Sequence, residues 1–165
     1  MSEEPHWVTA DHAQCLHDRA ISTSKGAAGL RDRDLLESAV ARPQNLYAYE
    51  QVTDPLELAA SYAQGIAQNH AFADGNKRTG FLTADLFLSL NGYSLDASPK
   101  ERHADQMVQL AEGQISREQF AEHLREHTTR LEIDRDRDAF ERTDRVREFR
   151  ERMRTPKDHG QDRER

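Results

Sequence analysis

The sequence predicts an all-α fold, with one helical domain that includes a short flap and ends near residue 131, followed by a charged extension. Three observations predict this class. Apolar residues recur at helical spacing, helix caps and stops separate the segments, and no convincing pair of strands is present. At 165 residues, the chain is long enough for one hydrophobic core and too short for two domains of ordinary size.

The first two helices are predicted from apolar patterns with clear boundaries. Thr9 can cap a helix from about Ala10 to Ile21. A loop rich in Ser, Ala and Gly then leads to a second helix over Arg31–Arg42. Pro43 ends that helix, because a proline disfavours the helical region for the residue before it.

Residues 44–53 are predicted to form the flap. Tyr47 and Tyr49 alternate there with smaller residues, which is typical of a short extended segment. This segment is therefore the part of the domain where we expect a departure from helix.

The third and fourth helices flank a short polar turn. The third begins at Pro55, which is favoured in a first helical turn, and runs to about His70. Gly75 interrupts the pattern. The fourth helix then spans Asn76–Leu90 and ends at Asn91–Gly92, a left-handed stop.

Two further helices, Glu101–Glu112 and Ser116–Leu131, complete the domain, and a capping box starts the second of them. The extension, residues 132–165, alternates in charge and carries a thin apolar stripe formed by Phe140, Val146, Phe149 and Met153. It is predicted to be a solvated helix followed by disorder. The alternative is a helix that docks on a partner or on the body of the same protein.

Charge and composition exclude several classes of protein. The net charge of −7 lies on residues 1–131, because basic and acidic residues balance in the extension. An acidic body disfavours direct nucleic-acid binding, which needs clustered cations. We expect no membrane span and no secretory signal. The single cysteine, Cys15, is predicted to be buried and fits a reducing cytoplasm.

The segment from His70 to Phe81 concentrates the chemistry of the chain. A helix that starts after Gly75 presents free backbone N–H groups and a positive dipole, which together bind phosphate. Lys77 and Arg78 add full positive charges. Asp74 can hold Mg²⁺, and the imidazole of His70 can take a proton from an attacking hydroxyl.

Ordinary structural explanations exist for each residue of this segment. A histidine before a turn often only donates a hydrogen bond, and Asp-Gly-Asn is a common turn sequence. The combination of so many special residues in nine positions nevertheless favours a site for phosphate transfer. It is not a Walker loop, because the earlier glycine and the preceding strand are missing.

The same segment resembles the signature of the Fic/Doc (Fido) family, His-x-Phe-x-(Asp/Glu)-Gly-Asn-(Gly/Lys)-Arg. The matching residues are His70, Phe72, Asp74, Gly75, Asn76, Lys77 and Arg78. The resemblance covers about residues 7–131 and extends to Gly29–Asp32, Leu35–Ala39, Ala41–Gln44, Leu86–Leu88 and Leu90–Tyr93. The lysine in the signature is typical of the death-on-curing toxins of type II toxin–antitoxin systems.

The resemblance implies a role for each matching residue. His70 would be the catalytic base, and Asp74 would bind Mg²⁺. Four residues would bind the nucleotide phosphates: Gly75, Asn76, Lys77 and Arg78. The flap, with Gln44, Tyr47 and Tyr49, would hold the target chain in an extended form.

The resemblance also implies a reaction. Fic adenylyltransferases carry glycine in place of Lys77 and a second arginine in place of Phe81. Both differences favour transfer of the γ-phosphate of ATP. The resemblance therefore implies a kinase that acts on a Ser or Thr hydroxyl. The expected target is elongation factor Tu, and the expected result is arrested translation. Adenylyl transfer is the alternative within enzymes.

Regulation is expected to come from a separate antitoxin chain. The family's self-inhibitory pattern has its nearest match at Thr53–Glu57, which is followed by Leu58 and lies inside a predicted helix. Inhibition by the extension is a weaker possibility, under which deletion of residues 132–165 would raise toxicity. A non-catalytic protein that acts through an antitoxin complex is the alternative from another class.

Overall fold

The computed structural model describes residues 3–22, 29–131 and 138–153, the last range with side chains from residue 146 onward. Within these ranges the chain forms seven helices and one two-stranded sheet. They are α1 (Ala10–Ser22), α2 (Arg33–Tyr49), α3 (Pro55–Asn69), α4 (Asn76–Leu90), β1 (Tyr93–Leu95), α5 (Lys100–Ala111), α6 (Arg117–Glu126), β2 (Thr128–Arg130) and α7 (Asp138–Met153). The predicted all-α class is confirmed.

Helix α3 lies at the centre of the fold and is buried on nearly every side. Helices α2, α4 and α6 pack around it. Gly80 allows α4 to approach closely, since a Cβ there would lie 2.8 Å from the carbonyl oxygen of Ala63. The hydroxyl of Tyr62 ties the N-terminal segment to this core, because it accepts from the N–H of Val8 at 2.9 Å and donates to its carbonyl at 3.2 Å.

The predicted helix caps at Thr9 and Ser116 are present, and the structure adds a cap at Asp54. The hydroxyl of Thr9 accepts from the N–H of His12 at 3.2 Å, and Asp54 caps α3 through the N–H of Leu56. The capping box of α6 has both of its hydrogen bonds, between Ser116 and Gln119. These caps satisfy N–H groups that a helix start otherwise leaves unpaired.

The predicted end of the second helix is wrong, because α2 continues through Pro43 to Tyr49. A proline in a helix removes one hydrogen bond. Here its ring is buried, and the following turn buries Leu46, so packing offsets the loss. The prediction of an extended flap over residues 44–53 is therefore wrong for residues 44–49, which are helical. Only residues 50–54 connect α2 to α3.

The expectation that no strands pair is also wrong, although only for three residues in each strand. Helix α6 ends at Glu126 rather than near Leu131, and β2 pairs antiparallel with β1, Ser94 opposite Thr129. Strands this short carry too few alternating residues to show in a sequence pattern. The prediction for Cys15 is wrong as well, because it lies on the exposed face of α1.

The C-terminal helix α7 packs on the body of the protein rather than lying free in solvent. Phe149 is 3% exposed, and Met153 contacts the core beside it. The described part of α7 meets α4, and Arg19 of α1 donates to the carbonyl of Arg150 at 3.5 Å. This corrects the solvated helix in favour of the docking alternative. Phe140 and residues 154–165 lie outside the described side chains and backbone.

Among the described residues, no helix is both long enough and apolar enough to cross a membrane.

Candidate active site

Residues 70–75 join α3 to α4 and are called the α3–α4 loop from here on. Backbone hydrogen bonds attach this loop to the segment that precedes α2. The N–H groups of Arg31 and Asp32 donate to the carbonyl of Ala71 at 2.7 and 3.1 Å, and that of Ala73 donates to Gly29 at 3.2 Å. A loop with this many fixed backbone groups holds its side chains in defined positions.

A buried aromatic pair lies beneath the loop. Phe72 is fully buried, and its ring stacks on that of His17, with centroids 3.8 Å apart and planes 9° from parallel. His17 Nε2 lies 2.7 Å from the carbonyl oxygen of Asp74. A carbonyl only accepts, so His17 donates this hydrogen bond and fixes the backbone at the point where Asp74 projects.

Asn76 closes the loop from its other side. Its Oδ1 accepts from the N–H of Phe72 at 3.1 Å, and its Nδ2 donates to the carbonyl of Phe72 at 3.0 Å. Both ends of the amide are therefore used to hold the loop. The predicted contact of Asn76 with a phosphate would therefore be made by its backbone N–H at the start of α4.

Gly75 occupies a position that only glycine fits well. Its φ of 79° is left-handed, and a Cβ there would lie 3.0 Å from Ile21 Cδ1 and 3.5 Å from the His17 ring. No side chain caps α4. The first-turn N–H groups of this helix are thus open to an anion, together with the positive end of its dipole.

Four ionisable side chains surround this helix start and are exposed: His70, Asp74, Lys77 and Arg78. Asp74 Oδ1 accepts from the N–H of Gly75 at 2.7 Å, which leaves its second oxygen for another ligand. Arg78 makes one long contact, 3.5 Å, with the carbonyl of Ala20. The structure therefore brings together all the residues that the sequence predicted around the loop.

His70 has an unusual backbone conformation. It is the C-cap of α3, with φ 52° and ψ 42°, a left-handed region that residues other than glycine seldom occupy. Such conformations cost free energy and cluster at functional sites. The imidazole has no hydrogen-bond partner among the described residues, so both ring nitrogens remain open to a substrate.

The three residues predicted for target binding lie on α2. Gln44 is exposed, and Tyr49 is 82% exposed. Tyr47 is half-buried and packs edge-on against Trp7, with ring centroids 5.6 Å apart. None of the three forms a hydrogen bond with the α3–α4 loop in the described part of the chain, so their role stays a prediction.

Comparison with known proteins bears directly on this loop. The family model described as "Fic/DOC family" matches residues 7–88, which include the whole of it. The chain is 38% identical over 118 residues to "Protein kinase doc" of Escherichia phage P1, across 72% of this chain and 92% of that protein. The chain belongs to the Fic/Doc family. It is also 41% identical over 88 residues to "Toxin Doc" of Mycolicibacterium smegmatis, across 52% of this chain and 68% of that toxin.

One supporting residue of this Fic/Doc loop was missed in the sequence. This residue, His17, lies 57 residues before Asp74, and its place in an amphipathic helix does not indicate which residue its ring will contact. Its only signal was position, since it falls on the same face of α1 as the buried Ala13, Leu16 and Ala20.

Proposed function

We propose that this protein is a toxin kinase that transfers the γ-phosphate of ATP to a Ser or Thr hydroxyl of another protein. The observation that carries the proposal is the exposed group of His70, Asp74 and Arg78 around an uncapped helix start on a tightly held loop. The phage P1 relative is named as a protein kinase, which supports the same reaction.

The residues of this chain divide the work between binding and proton transfer. The open N–H groups of α4, with Lys77 and Arg78, would hold the phosphates in place and offset their charge. Phosphoryl transfer depends mainly on such positioning and charge neutralisation. His70 would accept the proton of the attacking hydroxyl, and its exposure suits a substrate that is itself a protein.

A magnesium ion fits the oxygen donors at this position. Asp74 is exposed, and one carboxylate oxygen is engaged by the N–H of Gly75 while the other is available. Mg²⁺ is usually held by one or two carboxylates and by substrate phosphates. When bound, it would neutralise part of the phosphate charge, and Asp74 is the residue of this loop that would hold it.

Two residues favour the kinase over an adenylyltransferase. Lys77 stands where Fic adenylyltransferases carry glycine, so a long cationic side chain fills space that the phosphates would otherwise enter. Phe81 stands where they carry a second arginine, and its ring packs on His103 with centroids 5.0 Å apart. The second phosphate contact of the adenylyltransferases is therefore replaced by an apolar one.

The biological setting is part of the proposal. The target is elongation factor Tu, and translation stops when it is modified. A separate antitoxin chain restrains the enzyme in the cytoplasm. Gln44, Tyr47 and Tyr49 hold the target, of which Tyr49 offers the largest open apolar surface.

Intact-protein mass spectrometry of elongation factor Tu, after incubation with this protein, ATP and Mg²⁺, tests the proposal. The expected result is a gain of one phosphate that is absent with His70→Ala. A gain the size of adenylate would move the protein to the nucleotidyl-transfer branch. If elongation factor Tu is unchanged while labelled ATP modifies another protein in a whole lysate, the reaction stands and the target is wrong. Absence of transfer in both assays would favour the non-catalytic alternative.

A further inference from the structure

Three histidines outside the α3–α4 loop come together between α5 and α6. His103 lies on α5, His123 on α6, and His127 is the C-cap of α6. One ring nitrogen of each lies within 4.8 Å of the others. His103 and His123 are 3% and 4% exposed, and His127 is half-buried. We call these residues the histidine trio.

Hydrogen bonds outside the trio orient two of its rings. His103 Nε2 lies 2.8 Å from the carbonyl of Asp96, and His127 Nδ1 lies 2.9 Å from the carbonyl of His123. Carbonyls only accept, so these nitrogens carry the protons. The lone pairs of His103 Nδ1 and His127 Nε2 are left for the trio, an arrangement typical of metal-binding histidines.

The third ring completes the arrangement. His123 Nε2 lies 2.8 Å from His103 Nδ1. Because the His103 proton is on the other nitrogen, His123 Nε2–H donates in the metal-free protein. Binding of a cation would displace this proton and move His123 to its other tautomer. All three imidazoles would then present a lone pair to one point.

We propose that the histidine trio is a binding site for a divalent transition-metal ion, with Zn²⁺ as the ion that fits it best. Three neutral imidazoles suit Zn²⁺, whereas Mg²⁺ and Ca²⁺ prefer oxygen. Zinc–nitrogen bonds of about 2.0–2.1 Å place tetrahedral ligand atoms about 3.3 Å apart. The pair at 2.8 Å has to open by about half an ångström, and ligand atoms that lie as much as 4.8 Å apart have to approach one another.

The site would act as a clamp on the C-terminal half of the domain. Its ligands join α5 to α6, and the Asp96 carbonyl that orients His103 directly follows β1. The His103 ring also contacts Phe81 of α4. A bound ion is therefore expected to raise the stability of the folded chain, and this does not depend on the proposed kinase activity.

Titration of the full-length, tag-free protein with Co²⁺ after chelator treatment tests the site. One Co²⁺ per chain should bind and give the visible absorption of tetrahedral nitrogen coordination, and one equivalent of Zn²⁺ should remove that absorption. The melting temperature should rise with Zn²⁺ and remain unchanged with Mg²⁺. Failure to bind one equivalent at micromolar protein would overturn the proposal.

Two matched variants locate the ion. His127→Gln removes a ligand at a half-buried position, so the fold should persist, which circular dichroism can verify. It should weaken binding by about tenfold or more, since even partners one step outside the ligands change metal affinity by about 10–100-fold. His12→Gln, at a half-buried histidine of α1, should bind like the wild type. Equal binding by both variants would place the ion elsewhere and refute the site.

Discussion

The α3–α4 loop and the histidine trio use ionisable side chains in opposite ways. Around the loop, His70, Asp74, Lys77 and Arg78 are exposed, and the stacked rings of Phe72 and His17 are buried beneath them. In the trio the ionisable rings are clustered together, two of them buried and the third half-buried. Burial, with the neighbouring His103, His127 and Arg102, lowers the pKa of His123 to about 4, so that ring is neutral at physiological pH.

The comparison distinguishes the residues that hold a site in place from the residues that react in it. Charges left in water cost the fold little, so the loop keeps reactive groups exposed and fixes its backbone through buried contacts with Phe72 and His17. The ring of His123 is uncharged, and the burial of His103 and His123 keeps large substrates away, which leaves the trio suited to a small ion. Changes at the loop surface should therefore affect catalysis, and changes beneath it or elsewhere in the core should affect stability.

The largest expected effect is that of His70→Ala. Loss of a general base should lower the rate of phosphate transfer by about 10²–10⁴-fold. The free energy of unfolding should change little, since the side chain is exposed and forms no hydrogen bond with the described residues. Transfer assays beside urea denaturation check both statements, and a variant that loses stability together with activity would contradict the separation.

A change in the core outside the loop should lower stability and leave the transfer rate unchanged. Phe149→Ala removes the buried anchor of α7 and is expected to cost about 3 kcal/mol, at the low end for a buried phenylalanine because α7 packs from one side. Transfer at temperatures where the variant is folded should be unchanged. Val146→Ala, at a half-buried position on the same helix, is the control. A rise in transfer rate with Phe149→Ala would instead support inhibition by the extension.

The carboxyl of Asp85 on α4 is expected to make the stability of the protein depend on pH without affecting catalysis. Burial raises the pKa of this carboxyl to about 6 from its usual 3.8, against the opposing effect of Arg152 on α7. Between these values the unfolded chain loses a proton that the folded chain keeps, so this group makes stability fall as pH rises from about 4 to 6.

Asp85→Asn removes that dependence. Below about pH 4 the variant and the wild type should have the same free energy of unfolding. Above pH 6 that of the variant should be higher by about 2 kcal/mol, which is the value of the pKa difference reduced for the partial exposure of Asp85. Urea denaturation at both pH values measures the gap. A gap that favours the wild type at neutral pH would show that attraction to the Arg152 charge outweighs burial, and a gap already present in acid would show that the difference does not come from ionisation of Asp85.

The smallest effect is expected at His17, a buried residue that supports the exposed loop. His17→Phe keeps the stack on Phe72 and removes the hydrogen bond to the Asp74 carbonyl. One hydrogen bond contributes about 1 kcal/mol to stability. Because the backbone beneath Asp74 is loosened, transfer should also fall by about tenfold or less. His12→Gln, on the same helix, serves as the comparison. If the two variants have equal stability and equal transfer rates, His17 does not support the loop.

The parts of the molecule that the sequence revealed are those encoded by neighbouring residues. The caps at Thr9 and Ser116, the interruption at Gly75 and the span of α4 depend on local spacing, so pattern and chemistry predicted them. The continuation of α2 through Pro43 depends on tertiary burial of the ring and was missed.

The same reason explains the missed contacts. His17 reaches Asp74 across 57 residues, and His103 meets His123 across 20. Scattered histidines carry no local signature of a shared site, because the packing of α5 on α6 alone brings them together. The docking of Phe149 on the core is likewise invisible in a charged helix with a thin apolar stripe.

The most direct test of the kinase assignment follows each phosphate of ATP separately. The protein and its His70→Ala variant would be incubated in a lysate with Mg²⁺ and with ATP labelled at either the γ- or the α-phosphate. The account predicts label on protein from γ-labelled ATP only, and only with the wild-type enzyme. Label from α-labelled ATP, or transfer that survives His70→Ala, would contradict it.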